Sequence, residues 1–188
     1  MKLNPSNLDQ CFQLFTEEGY FILPQFFDKA EIKGLQERID QIMLGTADVD
    51  YDQIWMQLDT DSGKYDDLSW GGNGFQGATL DYRKIQGLEA DQCFLDFITS
   101  SFFLKFCGQV YGPNVSITSF RTMFMNKAAG KGTWLPWHQD RWNFLDQDPL
   151  LTVWIPLDEA TLENGCVQII RRSHCKGLIN PEHSSGFL

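Results

Sequence analysis

The sequence has no Cys-x-x-Cys pair, no uncharged apolar run of membrane-spanning length and too few cations to face a polyanion. Each of these lacks excludes a class of protein. Lys and Arg number 15 against 25 Asp and Glu, a formal net charge of -10. Phosphate backbones and anionic lipid surfaces are bound by clustered Lys and Arg, so nucleic acid and membranes are not expected as partners. The acidic residues are spread along the chain, with Asp48, Asp50, Asp52, Asp59, Asp61, Asp66 and Asp67 reading as a solvated face. The five cysteines, Cys11, Cys93, Cys107, Cys166 and Cys175, are odd in number and irregularly spaced. That pattern suits neither a disulfide framework nor a zinc ribbon and points to a reducing, cytoplasmic setting. Polar residues interrupt the first twenty positions, so no secretory apolar segment is expected, and the protein reads as soluble.

What is present is enough for one core. With 188 residues and 43% hydrophobic content, the whole chain, 1–188, reads as a single domain. Ser6-Asn7-Leu8-Asp9 starts a helix carrying Leu8, Cys11, Phe12 and Phe15, which Gly19 ends; Tyr20–Leu23 then reads as a short buried strand. Asp28 and Glu31 open a second helix with an apolar stripe of Ile32, Leu35, Ile39 and Ile42. Residues 46–78 show no period and read as a long ordered loop. A strand at Leu80–Gln86 and one helix over Asp91–Val110 follow. From Val115 the period becomes two, giving a long strand to Met125, then strands at Trp134–Asp140, Leu150–Leu157 and Cys166–Ile170. Helices followed by strands indicate an α+β chain with a jelly-roll-like half. About five strands are legible after residue 79, where a jelly roll needs about eight. Either strands lie hidden in the long loop or the sheet is open at its end.

His138 and Asp140 are the residues that point to chemistry. At i and i+2 of a strand they share a face, so an imidazole nitrogen and a carboxylate can close on one ion. These are two of the three donors of a 2-His-1-carboxylate triad, which leaves one face of Fe(II) open. Trp134 and Trp137 before the pair, and Trp142 and Phe144 after it, would wall a cleft of low dielectric. Trp137, Arg141 and Trp142, with the loop residues Trp70 and Phe75, are the candidates for a substrate-facing wall. Gln139 should point off the metal face.

Several further motifs fall in a fixed order around this pair. They are Glu18-Gly19-Tyr20-Phe21-Ile22-Leu23-Pro24, Met123-Phe124-Met125-Asn126-Lys127, Trp137-His138-Gln139-Asp140, Glu163-Asn164-Gly165-Cys166 and Arg172-Ser173-His174. With this order the sequence resembles the phytanoyl-CoA dioxygenase family of iron- and 2-oxoglutarate-dependent oxygenases, over nearly the whole chain. The resemblance implies a double-stranded β-helix with N-terminal helices packed on one sheet. It implies His138 and Asp140 as iron ligands, Trp154 beside the 2-oxoglutarate cosubstrate, and hydroxylation of an aliphatic carbon of a small molecule with dioxygen. Because Asp140 is present, hydroxylation is expected rather than the halogenation of relatives with Ala or Gly there.

The family pattern also has a distal histidine as third ligand and, about ten residues later, an arginine for the far carboxylate of 2-oxoglutarate. Neither is identifiable. His174 matches a turn that is not a ligand in relatives, His183 follows by only nine residues, and Arg171 and Arg172 come too early. The expectation is a sequence truncated before those residues, with an inactive, fold-retaining binding module as the alternative. A cupin-like protein holding another divalent metal is a weaker third reading.

Overall fold

The computed structural model describes residues 7–119, 121–140 and 145–180. Two helices lead the chain, and their ends are set by their sequences. Helix α1, Leu8–Glu18, is capped by Asn7, whose side chain accepts from the Gln10 amide, and stops where Gly19 turns left-handed. Helix α2, Lys29–Met43, starts in a full capping box: Asp28 accepts from the Glu31 amide, and Glu31 accepts from that of Asp28. Its stripe buries Leu35, Ile39, Ile42 and Met43. Burial of a side chain of this size contributes roughly 1.5–3 kcal/mol.

The core is completed by a four-stranded antiparallel sheet of order β2-β1-β3-β4. Two of its strands, β1 (Trp55–Leu58) and β2 (Gly72–Asn73), come from the region that reads as a loop. They are too short, and too rich in Gly and Asp around them, to show a period. The central strand β3, Tyr82–Gln86, pairs with β1 on one side and with β4, Met123–Met125, on the other. Ile54, Met56, Tyr82, Ile85, Leu88 and Phe94 close with the α2 stripe into one cluster.

Between β1 and β3 the register slips. Gln57 faces Lys84, but Leu58 faces Tyr82, so Arg83 is one extra residue on β3. Such a bulge bends the strand and re-aims a side chain. Beyond β3, Gly87 adopts φ 80° and ψ 22°, and a Cβ there would meet the Gln53 carbonyl oxygen at 2.5 Å. Gly87→Ala is expected to cost at least about 2 kcal/mol, combining left-handed strain with that clash. The urea midpoint should fall with an unchanged m-value; an unchanged midpoint would contradict the assignment.

Six sequence expectations need correction. The helix expected over Asp91–Val110 is two: α3, Gln92–Ile98, and α4, Ser101–Tyr111, meeting at 51°. The break falls at Thr99-Ser100, where the Thr99 hydroxyl bonds back to the Leu95 carbonyl and Ser100 takes an extended ψ of 155°. Among the described residues no single helix is long and apolar enough to cross a membrane. Tyr20–Leu23 is not a strand; Phe21 packs edge-on against Phe106 of α4 while Ile22 faces solvent. Among the described residues, the long strand expected from Val115 forms a ladder only over Met123–Met125. Trp134–Asp140 forms a single bridge at His138, and Leu150–Leu157 and Cys166–Ile170 form no ladder among the described residues. These segments have the alternation of strands but, among the described residues, no neighbouring strand that forms a ladder with them, and Val153, Trp154, Val167 and Ile169 stand about half exposed. Helices and an antiparallel sheet combine as expected, and among the described residues the sheet is four-stranded and open.

Candidate functional site

The site is built on the single-bridge segment. His138 Nδ1 lies 2.9 Å from the Pro136 carbonyl, which accepts its proton and turns Nε2 toward Asp140. Nε2 and Asp140 Oδ1 are 3.5 Å apart. Thr152 donates its hydroxyl to the other carboxylate oxygen, Oδ2, at 3.4 Å. The pair shifts both titrations. The Asp140 carboxylate, reinforced by the Pro136 carbonyl, holds the His138 imidazole above its ordinary value against partial burial. His138, with Thr152 and Arg121, holds the Asp140 carboxyl below its own.

Sequence reasoning missed the surrounding charge. Lys84 of β3 and Arg121 lie close enough to act on Asp140 electrostatically. Burial, and after it Arg121 and Arg83, push the Lys84 ammonium down to about 8. The signal was available: Arg83 and Lys84 are adjacent cations in a strand otherwise committed to the core. Thr152, two residues before Trp154, was also missed.

The other expected residues divide. Trp137 and Trp154 are about half exposed. Trp154 lies two residues after Thr152, whose hydroxyl reaches Asp140. Arg141 and Trp142 lie outside the described residues. Trp70 is 97% exposed and Phe75 packs on Tyr51 with ring centroids 5.3 Å apart, so neither forms a wall. The amide of Gln139 donates to the Gly177 carbonyl and accepts from the Ile179 amide, both at 2.8 Å, pinning that segment. Gln139→Ala should raise hydrogen exchange at Ile179 roughly tenfold, the worth of about one such bond. Unchanged protection there would contradict this role.

Arg171 pairs with Glu18, and His174 Nε2 donates to the Thr16 carbonyl at 3.0 Å, so these residues tie the late turn to α1. Gly19 leaves them room, since a Cβ there would lie 2.4 Å from His174 Nδ1. All five cysteines are free thiols. Among the described residues no group of three His, Cys, Asp or Glu converges on one point.

The chemistry of the pair can be tested against a divalent ion. Two donors each about 2.1 Å from an ion and at right angles are separated by roughly 3 Å. The observed 3.5 Å is within a small side-chain adjustment of that value. One nitrogen and one oxygen donor, the first oriented by a backbone carbonyl and the second by a hydroxyl, fit a metal of borderline hardness.

Helices back an antiparallel sheet, and a paired imidazole and carboxylate stand beside the sheet's cations. A family model described as phytanoyl-CoA dioxygenase (PhyH) matches residues 15–184. The chain belongs to the phytanoyl-CoA dioxygenase family, whose members have a cupin-like fold. It is 29% identical over 198 residues to a phytanoyl-CoA dioxygenase of Arabidopsis thaliana, covering 94% of this chain and 67% of that protein. It is 28% identical over 205 residues to phytanoyl-CoA dioxygenase domain-containing protein 1 of Bos taurus, with coverages of 94% and 67%. Phytanoyl-CoA dioxygenase 1 of Oryza sativa subsp. japonica is 26% identical over 198 residues, with coverages of 90% and 66%. The chain thus spans about two thirds of the length of these relatives. No solved structure matches it.

Proposed function

We propose that the protein is an Fe(II)- and 2-oxoglutarate-dependent dioxygenase that hydroxylates an aliphatic carbon of a small molecule. The observation that carries this reading is the oriented His138–Asp140 pair in a chain of this family. Neutral His138, through Nε2, and Asp140, through its carboxylate, would hold the iron. The two would supply two of the three protein ligands of such a site. When bound, iron with 2-oxoglutarate supplies the oxidising chemistry, consuming dioxygen and releasing succinate and CO2.

The chain's own residues position and balance that chemistry. The Pro136 carbonyl keeps the His138 proton on Nδ1, so the other nitrogen presents its lone pair. The Thr152 hydroxyl fixes one oxygen of Asp140 and leaves the other toward His138. Lys84 and Arg121 put positive charge beside the pair, which favours a dianionic cosubstrate there. Trp154, on the Thr152 side, walls this region.

The reading is tested by succinate formation from 2-oxoglutarate in the presence of Fe(II) and dioxygen. Thr152→Val should weaken Fe(II) binding about 10- to 100-fold, as loss of an orienting partner does. Equal affinity in calorimetry would remove Thr152 from the site. A second reading, a binding module that keeps the fold without turnover, is favoured by one observation: no third ligand converges among the described residues. It expects no succinate at any Fe(II) concentration.

A further inference from the structure

The segment that bears His138 and Asp140 is held by less than a strand usually is. Among the described residues it forms a single bridge, at His138, so no ladder fixes its rotation about its own axis. That rotation decides where the two side chains point.

A further restraint comes from the residue between them. Gln139 alternates with His138 and Asp140, so in extended chain its side chain leaves on the opposite face. Its amide there makes two bonds to one stretch of backbone: Nε2 donates to the Gly177 carbonyl and Oε1 accepts from the Ile179 amide, both at 2.8 Å. A residue of a parallel strand bonds its neighbour in this pattern, giving its N–H to the carbonyl before the facing residue and taking the N–H after it. The Gln139 amide thus occupies the bonding position of a strand residue opposite Leu178. With a carbonyl on one side and an N–H on the other, only one orientation of the amide satisfies both.

The receiving backbone is shaped for this clamp. Gly177 adopts φ 66° and ψ -158°, a conformation open essentially to glycine alone. A Cβ there would meet nothing within 4 Å, so the backbone and not a lack of space calls for glycine. Its ψ sets the direction of the carbonyl that Gln139 bonds. Immediately before it, the 3-10 turn Ser173–Lys176 is footed on α1: His174 reaches the Thr16 carbonyl, and the Arg172 amide donates to that of Glu18.

We propose that Gln139 is a positioning residue for the metal-binding pair: clamped on Gly177 and Ile179, it fixes the rotation that turns His138 and Asp140 toward one ion. The pair and the late segment are then linked. Binding free energies are reciprocal, so an ion on the pair strengthens the clamp by the same factor by which the clamp strengthens ion binding. The proposal rests on the oxygenase reading for a metal at this pair; the coupling itself requires neither 2-oxoglutarate nor turnover.

Co(II) is the probe, on the whole protein without 2-oxoglutarate. Gln139→Ala should weaken Co(II) binding about 10- to 100-fold, the range for loss of a group that orients metal ligands. Gly177→Ala leaves Gln139 in place and should reproduce much of that loss, and the double variant should bind no more weakly than Gln139→Ala. Saturating Co(II) should slow exchange of the wild-type Ile179 amide by the factor that Gln139→Ala loses in affinity, and should leave that exchange unchanged in Gln139→Ala. Both residues lie outside the core cluster, so the unfolding transitions should stay with the wild type. A residue that only tethered the late segment would alter Ile179 exchange equally with and without Co(II) and leave affinity alone. Equal Co(II) affinity in wild type and Gln139→Ala, or Ile179 exchange indifferent to Co(II), would overturn the proposal and leave the pair as a metal site. The expected coupling without succinate from Fe(II) and 2-oxoglutarate would sink the oxygenase reading alone, and no Co(II) binding by the wild type would overturn both.

Discussion

His138→Ala is expected to lower 2-oxoglutarate-dependent succinate formation by at least about 100-fold, because even orienting partners of a metal ligand are worth 10- to 100-fold and His138 is a ligand itself. The fold should be untouched. The side chains of His138 and Asp140 are 30% and 48% exposed, and neither contributes to the core cluster. Thermal unfolding of His138→Ala and Asp140→Ala should therefore coincide with that of the wild type within about 2 °C, since surface substitutions stay near 0.5 kcal/mol. The combination is diagnostic: a large loss of turnover with an unmoved transition assigns the pair to chemistry. Full turnover in His138→Ala would remove iron from this site.

Asp91→Ala should produce the opposite combination. Asp91 is 1% exposed and does two things at once. One oxygen caps α3, accepting from the Cys93 and Phe94 amides, and the other accepts from Arg38 Nε at 2.8 Å and Nη2 at 2.6 Å. Arg38 also reaches the Asp48 carbonyl, so this one guanidinium joins α2, α3 and the chain after α2. Breaking a buried pair by removing one partner costs about 3–5 kcal/mol. Loss of the cap, worth about 1 kcal/mol alone, falls within that figure because the two roles share one carboxylate. For a chain of this length the transition should fall by about 10 °C. Asp91→Asn can still cap α3 but strands Arg38, and should lie between alanine and the wild type. A loss below about 1 kcal/mol in Asp91→Ala would show that solvent, not Asp91, neutralises Arg38.

The parts of the fold legible in the sequence are those specified locally. Gly19, and Asp28 with Glu31, mark helix ends where expected, while the first cap is Asn7 bonded to the Gln10 amide, one residue later than the Ser6–Asp9 pattern places it. The Thr99-Ser100 break was not legible, because the apolar stripe of Phe94, Leu95, Ile98 and Phe102 continues across it. β1 and β2 were hidden for a different reason. Trp55–Leu58 becomes a strand through pairing with β3, almost thirty residues away in sequence, and four residues are too few to declare a period.

The motif order acquires a physical meaning in three dimensions. Lys127 of the Met123–Lys127 motif donates to the Gly165 carbonyl of the Glu163–Cys166 turn. Glu18 and Gly19 of the first motif meet Arg172 and His174 of the last, the Arg172 amide donating to the Glu18 carbonyl. What reads as a string of landmarks is a set of contacts that brings both ends of the described chain around one sheet. In the site, the pair was legible because i and i+2 share a face. Thr152 and Arg121 were not, since each reaches Asp140 from a separate segment, and Lys84 was marked only by the adjacent cations of β3. The bulge that re-aims Arg83 exists only in the pairing of β3 with β1.

The account's central claim is that His138 and Asp140 hold an iron that takes 2-oxoglutarate. Its most direct measurement is an anaerobic titration of the whole protein with Fe(II) and 2-oxoglutarate, followed through the visible charge-transfer absorption of a chelated 2-oxo acid. The account predicts a band that saturates at one Fe(II) per chain and is absent from both His138→Ala and Asp140→Ala. Saturable Fe(II) binding of equal strength in wild type and both variants, or no band in the wild type at any concentration, would contradict it.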